Sequence, residues 1–340
     1  MHTAPIAVDL LGGDNAPSVV VDGVLRALNA DPQLHLLLVG PPSVAATVLD
    51  ALTEADRRRC RERTALKVVA MADAPLRAMR ADTTIRSSLV ALAAGEAAAV
   101  VSAGSSGATV TAAVLELGRL DGVRRPALAA SIPAIADPVL LLDVGASVET
   151  NVATLSSHAL LGADHARRLG LHKPRVGLLS VGREPGKGDR ARRAAESALA
   201  ELPIDFVGLV EGDDVCLGDR ADVIVTDGFT GNVLLKGIEG AYALARGVSE
   251  RSEGAPQGAP GGSVLARGVS ERSEGAPQGA PENTAPAHSG LRRVGVPGGA
   301  PRAAMLLGVP GIVVVCHGAA DADDLAAAIA LAAVTVRARR

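Results

Sequence analysis

Aromatic side chains are nearly missing from this 340-residue chain: Phe206, Phe229 and Tyr242 are the whole set, and there is no tryptophan. Base stacking and sugar stacking both need exposed rings, so a nucleic-acid reader or an aromatic carbohydrate platform is a poor first reading. Cysteine is scarce too. Cys60, Cys216 and Cys316 are an odd number at wide spacing. They fit neither a disulfide framework nor a paired-cysteine metal site, and they suit a reducing cytoplasm. Excess positive charge is absent: 34 Lys and Arg stand against 37 Asp and Glu, a net charge of −3. A strongly basic nucleic-acid partner surface is therefore not expected. No apolar run is long and clean enough to span a bilayer. The best, 303–320, is broken by Gly308, Pro310, Gly311 and His317 and reads as loop plus strand. The first residues, MHTAPIAVDLLGGD, lack a basic start and carry Asp9 inside their apolar run, unlike a signal peptide.

What is present is aliphatic. Hydrophobic residues make up 48% of the chain, so the core is expected to be Ala, Val, Leu and Ile. At roughly 150 residues per domain the length allows two domains or one large α/β unit. Short β-branched runs alternate with Ala-rich helical segments. Expected strands are 6–10, 35–40, 66–70, 98–104, 139–146, 175–182, 204–212, 221–228 and 311–318. Expected helices are 16–30, 83–95, 107–120, 151–170, 189–202, 231–245 and 321–336. Strands without polar alternation, each followed by a helix, predict a Rossmann-like, three-layer α/β/α fold with a mostly parallel sheet. One stretch departs from this rhythm. LARGVSERSEGAPQGAP at 244–260 recurs at 265–281, and Gly and Pro stay dense to about Pro301. Two copies without an apolar face do not make a solenoid. The chain is thus expected as one α/β unit, 1–245 with 301–340, interrupted by a flexible Gly/Pro-rich duplication at 246–300.

The expected strands end in glycine-bearing polar turns: 9–17, 102–108, 143–147, 181–189, 226–232 and 316–321. Each sets backbone N–H groups at a helix start, an anion-binding arrangement. One such turn is ordinary connectivity; six predict a shared rim that grips an oxyanion. None is a Walker A loop, and none is a dinucleotide fingerprint. On these turns Lys187 is a fixed cation or a solvated loop lysine, and Asn232 a phosphate-orienting amide or a plain helix cap. His317 is a site residue or a satisfied strand histidine. Arginine runs at 57–63, 167–168 and 190–193 read as solvated helix faces.

The segments IAVDLLGGDNAP, VVSAGSSGATVTAAVLELGRLDGVRRPALAASIP, PVLLLDVGASVE, PRVGLLSVGREPGKGD, ADVIVTDGFTGNVLLK and LLGVPGIVVVCHGAADADDLAAAI occur in that order. Together they resemble the bacterial phosphate acyltransferases of phospholipid synthesis, over almost the whole chain except about 246–300. The resemblance implies a fold like that of isopropylmalate dehydrogenases and phosphotransacetylases, and a homodimer. It implies the reaction of a long-chain acyl-ACP with inorganic phosphate to give acyl-phosphate and free ACP, with no cofactor and no metal. Lys187, Asn232 and His317 become catalytic candidates, His317 as a proton donor to the departing thiolate. Asp14, Asn15, Arg80, Gly104, Ser105, Asp143, Asp227 and Gly228 become substrate-binding candidates. The Arg190–Arg193 cluster is a candidate contact for the acidic carrier. Losing one preorganised donor, as in Lys187→Ala or Asn232→Ala, is expected to slow such an enzyme at least ~100-fold.

Departures from the family pattern are local. Gly104-Ser105-Ser106-Gly107-Ala108 stands where GNTGA or GSTGA is usual, Ser147 stands where DVGAN has Asn, and Ala319 and Ala320 replace hydroxyls. A basic pair between Arg80 and Asp82 is missing. The 246–300 segment replaces helices that in the family support dimer contacts and peripheral membrane attachment, and its prolines oppose a long helix there. Two other readings stay open: a phosphotransacetylase-like enzyme on acyl-CoA, and a non-catalytic scaffold that binds ACP.

Overall fold

The computed structural model describes residues 4–80, 82–148, 150–253 and 301–339, with backbone only for 246–253. The 254–300 part of the duplicated segment lies outside the described residues. Through the first half the elements are β1 (Ile6–Asp9), α1 (Ser18–Ala30), β2 (Leu36–Gly40), α2 (Pro42–Asp50), α3 (Glu54–Arg57), β3 (Cys60–Thr64), α4 (Thr84–Ala93), β4 (Ala99–Ser102), α5 (Ser106–Leu117), β5 (Ala127–Ile132) and β6 (Val139–Leu142). They continue with α6 (Val152–Arg168), β7 (Arg175–Leu179), α7 (Arg190–Ala200), β8 (Asp205–Val210), α8 (Asp214–Leu217), β9 (Val223–Val225), α9 (Gly228–Glu253), β10 (Ala303–Leu307), β11 (Val313–Cys316) and a C-terminal helix, here α10 (Ala322–Ala338).

Among the described residues the strands form one sheet of eleven in the order β3-β2-β1-β4-β11-β10-β5-β6-β9-β7-β8. Its inner strands are apolar on both faces: every residue of β1, β2, β4, β6, β9 and β11 is buried. That is the condition of a sheet covered on both sides by helices. Two aliphatic clusters fill those layers, one around Val8, Leu36, Leu142, Leu178 and Val223, the other around Leu89, Leu141, Ile224 and Val313.

Strand direction organises everything that follows. β3, β2, β1, β4 and β11 run parallel to one another, and so do β6, β9, β7 and β8. Between the blocks, β10 is antiparallel to β11 and β5, and β5 is antiparallel to β6. Three reversals in succession leave the two blocks pointing in opposite directions. Their glycine turns therefore sit at opposite edges of the sheet, so the single shared rim expected from the sequence does not form.

Three strands depart from the sequence reading. The expected strand at 66–70 is a loop with one bridge, Lys67 to Thr83, and the true edge strand is β3. Its charged sequence CRERT looks like a solvated helix face, but a charged edge strand discourages further pairing. There Arg63 bonds Ser87 and Glu96. The other two, β5 and β10, are the strands that reverse the sheet. Both are Ala-rich, with weak β-propensity.

Candidate active site

At the first edge the turns after β1, β4 and β11 lock together through a buried carboxyl. Asp9 accepts hydrogen bonds from Ser102 Oγ (2.8 Å) and the Leu11 N–H (3.1 Å), and Ser102 Oγ accepts the Gly104 N–H (3.1 Å). Burial pushes the Asp9 carboxyl above its ordinary value, against those hydrogen bonds. Gly12 is required here, since a Cβ on it would lie 2.7 Å from the Gly104 nitrogen. The Asp14 N–H donates to the Gly318 carbonyl (2.8 Å), and Gly13, Asn15, Ala103 and Gly318 line one small pocket. Ser105 Oγ caps α5 by accepting the Ala108 N–H (3.4 Å). Asp14, Asn15, Gly104, Ser105 and His317 thus share this edge. Arg80 is exposed, after a 3-10 turn (Pro75–Met79) that touches the start of α5 through Pro75 and Gly107.

At the opposite edge Asp143 is fully buried and accepts four backbone N–H groups, from Leu128, Gly145, Ala146 and Ser147. A carboxylate so occupied holds the turn and has no face for a substrate, which corrects its expected role as a substrate wall. Burial pushes Asp143 up and pushes the neighbouring buried His158 down. The α9 start is pressed onto this turn: the Gly228 N–H donates to Ser147 O (2.9 Å), and a Cβ on Gly231 would sit 1.9 Å from Asp143 O. Asp227 accepts from Thr230 N–H and Oγ1 (2.8 Å each) and from Arg192 (2.5 Å). Burial works to raise the Asp227 carboxyl, but these partners outweigh it and hold it below its ordinary value. Arg192 is buried, bonding Leu179 O, Asp189, Thr226 and Asp227. It cannot meet a carrier protein; only Arg190 and Arg193 of that cluster are exposed. Lys187 is exposed and lies 3.9 Å from Glu184.

The two edges are joined by α9. Over the reversing strands β5 and β10 lies a cleft whose floor is Leu128, Ala130, Ala303 and Ala304. One wall is a single stripe of α9, Asn232, Leu235, Lys236 and Glu239, at i, i+3, i+4 and i+7. The other carries Ser106, Arg302, Cys316 and His317. Asn232 and His317, which the strand directions would separate, therefore meet in one cleft, and Lys187 is not among the residues lining it.

Polar groups in the cleft have fixed senses. Asn232 Nδ2 donates to Val144 O (3.1 Å), leaving its Oδ1 free to accept. The Ala319 N–H donates to His317 Nδ1 (2.9 Å). Lys236 Nζ donates to Glu239 Oε2 (2.9 Å), and that same oxygen lies 3.8 Å from His317 Nε2. Burial pushes the Cys316 thiol up to about 12, so it is packing rather than a nucleophile. Sequence reasoning missed Lys236, Glu239 and Arg302. Helical spacing from Asn232 points to the first two; only the β10–β11 pairing places the third. Among the described residues there is no cluster of His, Cys, Asp and Glu able to hold a metal.

Residues 4–255 match the family model described as fatty acid synthesis protein. A phosphate acyltransferase of Anaeromyxobacter sp. (strain K) is 46% identical over 240 residues, 70% of this chain and 66% of that protein. One from Pseudomonas putida (strain GB-1) is 37% identical over 341 residues, 99% of this chain and 95% of its own length. Among solved structures, a branched-chain phosphotransacylase from Enterococcus faecalis V583 superposes with a TM-score of 0.58 at 14% identity, covering 97% of this chain and 99% of its own. A phosphotransacetylase from Streptococcus pyogenes gives 0.56 at 14% identity, covering 98% and 94%. At such identity the structural likeness speaks for the fold alone.

Proposed function

The chain belongs to the phosphate acyltransferase family, and from that premise we infer that it moves a long-chain acyl group from the thioester of acyl-ACP to inorganic phosphate. The observation that carries this reading is the cleft under α9, where Asn232 and Lys236 on one wall and His317 on the other line an apolar floor. A phosphate oxygen must reach a thioester carbon while the charge developing on the carbonyl oxygen is stabilised. Position and preorganised donors suffice for that, without a covalent enzyme intermediate. The second Nδ2–H of Asn232 and the Lys236 ammonium offer a donor and a cation for the phosphate. The apolar floor suits the start of a fatty chain.

Asp14, Asn15, Gly104 and Ser105, on the glycine turns of the first edge, remain substrate-binding candidates, Ser105 being next in sequence to the cleft-lining Ser106. Arg190 and Arg193 remain the exposed basic pair for an acidic carrier. Residues 1–245 and 301–340 are read as one α/β unit, because β10 and β11 fill the sheet between β4 and β5. A homodimer fits the exposed apolar residues Phe229, Val233 and Leu244 on α9. No helix among the described residues is long and apolar enough to cross a membrane, so contact with lipid, if made, is peripheral in this reading.

The test is direct. The purified protein with palmitoyl-ACP and phosphate should form palmitoyl-phosphate, trapped by hydroxylamine as the hydroxamate. Faster turnover of palmitoyl-CoA would assign the acyl-CoA reaction instead. Binding of ACP with no hydroxamate from either donor would assign the scaffold.

A further inference from the structure

Two donors in the cleft have no protein acceptor among the described residues. Arg302 Nε is buried and has no hydrogen-bond partner among the described residues, while Nη1 of the same guanidinium is held by Asp324 (3.0 Å). A buried N–H left without an acceptor is costly and calls for a ligand oxygen or a water. The second donor follows from the backbone. A peptide N–H can only donate, so the bond from Ala319 makes His317 Nδ1 an acceptor and places the imidazole proton on Nε2. The nearest carboxylate oxygen, Glu239 Oε2, is 3.8 Å away, too far to accept that proton, and it is taken by Lys236.

The two donors are neighbours. β10 and β11 pair antiparallel with Ala303 opposite Cys316, so the next pair outward is Arg302 and His317, and both side chains line the cleft. A Cys316 Sγ–H bond to Arg302 O (3.2 Å) keeps the strand ends together.

We propose that His317 Nε2–H and Arg302 Nε–H form the oxyanion hole for the thioester carbonyl. This deepens the acyl-transfer reading and rests on it. A phosphate oxygen gives a lone pair to the carbonyl carbon, and the C=O π pair moves onto oxygen, where the two N–H groups receive it. Collapse restores C=O and breaks the C–S bond, whose pair leaves on sulfur; the thiolate takes its proton from solvent. A thiol of ordinary acidity, about 8.5, leaves as the anion without an acid. His317 is thus a fixed donor, replacing the proton-transfer role expected from the sequence.

The experiment combines one spectrum with four variants. In a nitrogen-15 histidine spectrum, with His317 identified by its loss in H317Q, Nδ1 should be bare and Nε2 protonated. H317A should lower kcat at least ~100-fold, while H317Q, whose amide N–H can stand in, should stay within ~10-fold of wild type. R302M and R302K should both lose ~100-fold in kcat with KM for phosphate little changed, because lysine keeps the charge but lacks Nε–H. The opposite tautomer, an H317Q as slow as H317A, or wild-type kcat in R302K overturns the proposal while leaving the acyl-transfer function standing. No hydroxamate from the unsubstituted protein overturns that function, and this proposal with it.

Discussion

The two sides of α9 are built for different tasks. One stripe, Asn232, Leu235, Lys236 and Glu239, faces a cleft with fixed donors and acceptors. The next, Leu234, Ile238, Ala241 and Tyr242, faces an apolar groove closed by Pro133, Ala134, Ile135 and Cys216, where the Tyr242 hydroxyl donates to Pro133 O (3.4 Å). A helix with one chemically specific face and one nonspecific face should separate catalysis from stability when mutated. It also shows why α9 matters more than any one turn: its cleft stripe runs from Asn232, bonded to Val144 O, to Glu239, beside His317.

The comparison is sharpened most by Asn232→Ala, expected to lower kcat at least ~100-fold in the hydroxamate assay while the urea midpoint hardly moves. An equal loss of stability would show that the amide is only holding Val144. On the groove side, Ile238→Ala should do the reverse. Ile238 is 6% exposed, and truncating a buried Ile removes about 2–5 kcal/mol of stability by denaturant titration. Activity of the folded fraction should stay within a few-fold. A third test concerns the anchor of α9. Because Asp227 is held below its ordinary value in the folded chain, it stabilises the fold above the unfolded-state value of 3.8 and loses that contribution as pH falls through the lowered one. D227N should therefore flatten the acid limb of a pH–Tm curve; an unchanged limb would break the anchor. The smallest effect is expected for Lys187→Ala. The sequence pattern predicts a loss of at least ~100-fold, but an exposed lysine outside the cleft should change the rate only a few-fold. A large loss would return the 181–189 turn to the reaction.

A separate acid effect comes from His165, whose value is lowered to about 4 by burial and by Arg168 and Arg339. A depressed histidine contributes stability above 6.5 that is lost between 6.5 and about 4 as the unfolded chain takes up the proton. His165→Gln should remove that part of the pH–Tm slope.

Local pattern was enough for much of the fold. Aliphatic runs such as IAV and VLLL read as inner strands between helix layers, and both are fully buried. The helix expected at 321–336 begins at Ala322, where Asp321 and Asp324 form a reciprocal capping box. Family motifs singled out Asn232 and His317, which the structure brings into one cleft. Asp143 and Arg192 misled because a charged residue beside a glycine turn looks alike whether it faces solvent or is sealed by backbone donors. That difference depends on neighbours distant in sequence: Leu128 for Asp143, Asp227 for Arg192.

By itself the sequence determined the aliphatic core, the αβ alternation and the places where glycine turns must fall, because each depends on residues within a few positions of one another. Strand direction does not. It was decided across the sheet: β10, from beyond residue 300, runs against both β11 and β5, and the β5–β6 pair supplies the net reversal between the two blocks. The β10–β11 pairing also sets Arg302 beside His317, since pairing between strands far apart in the chain is settled by the packing of the whole sheet.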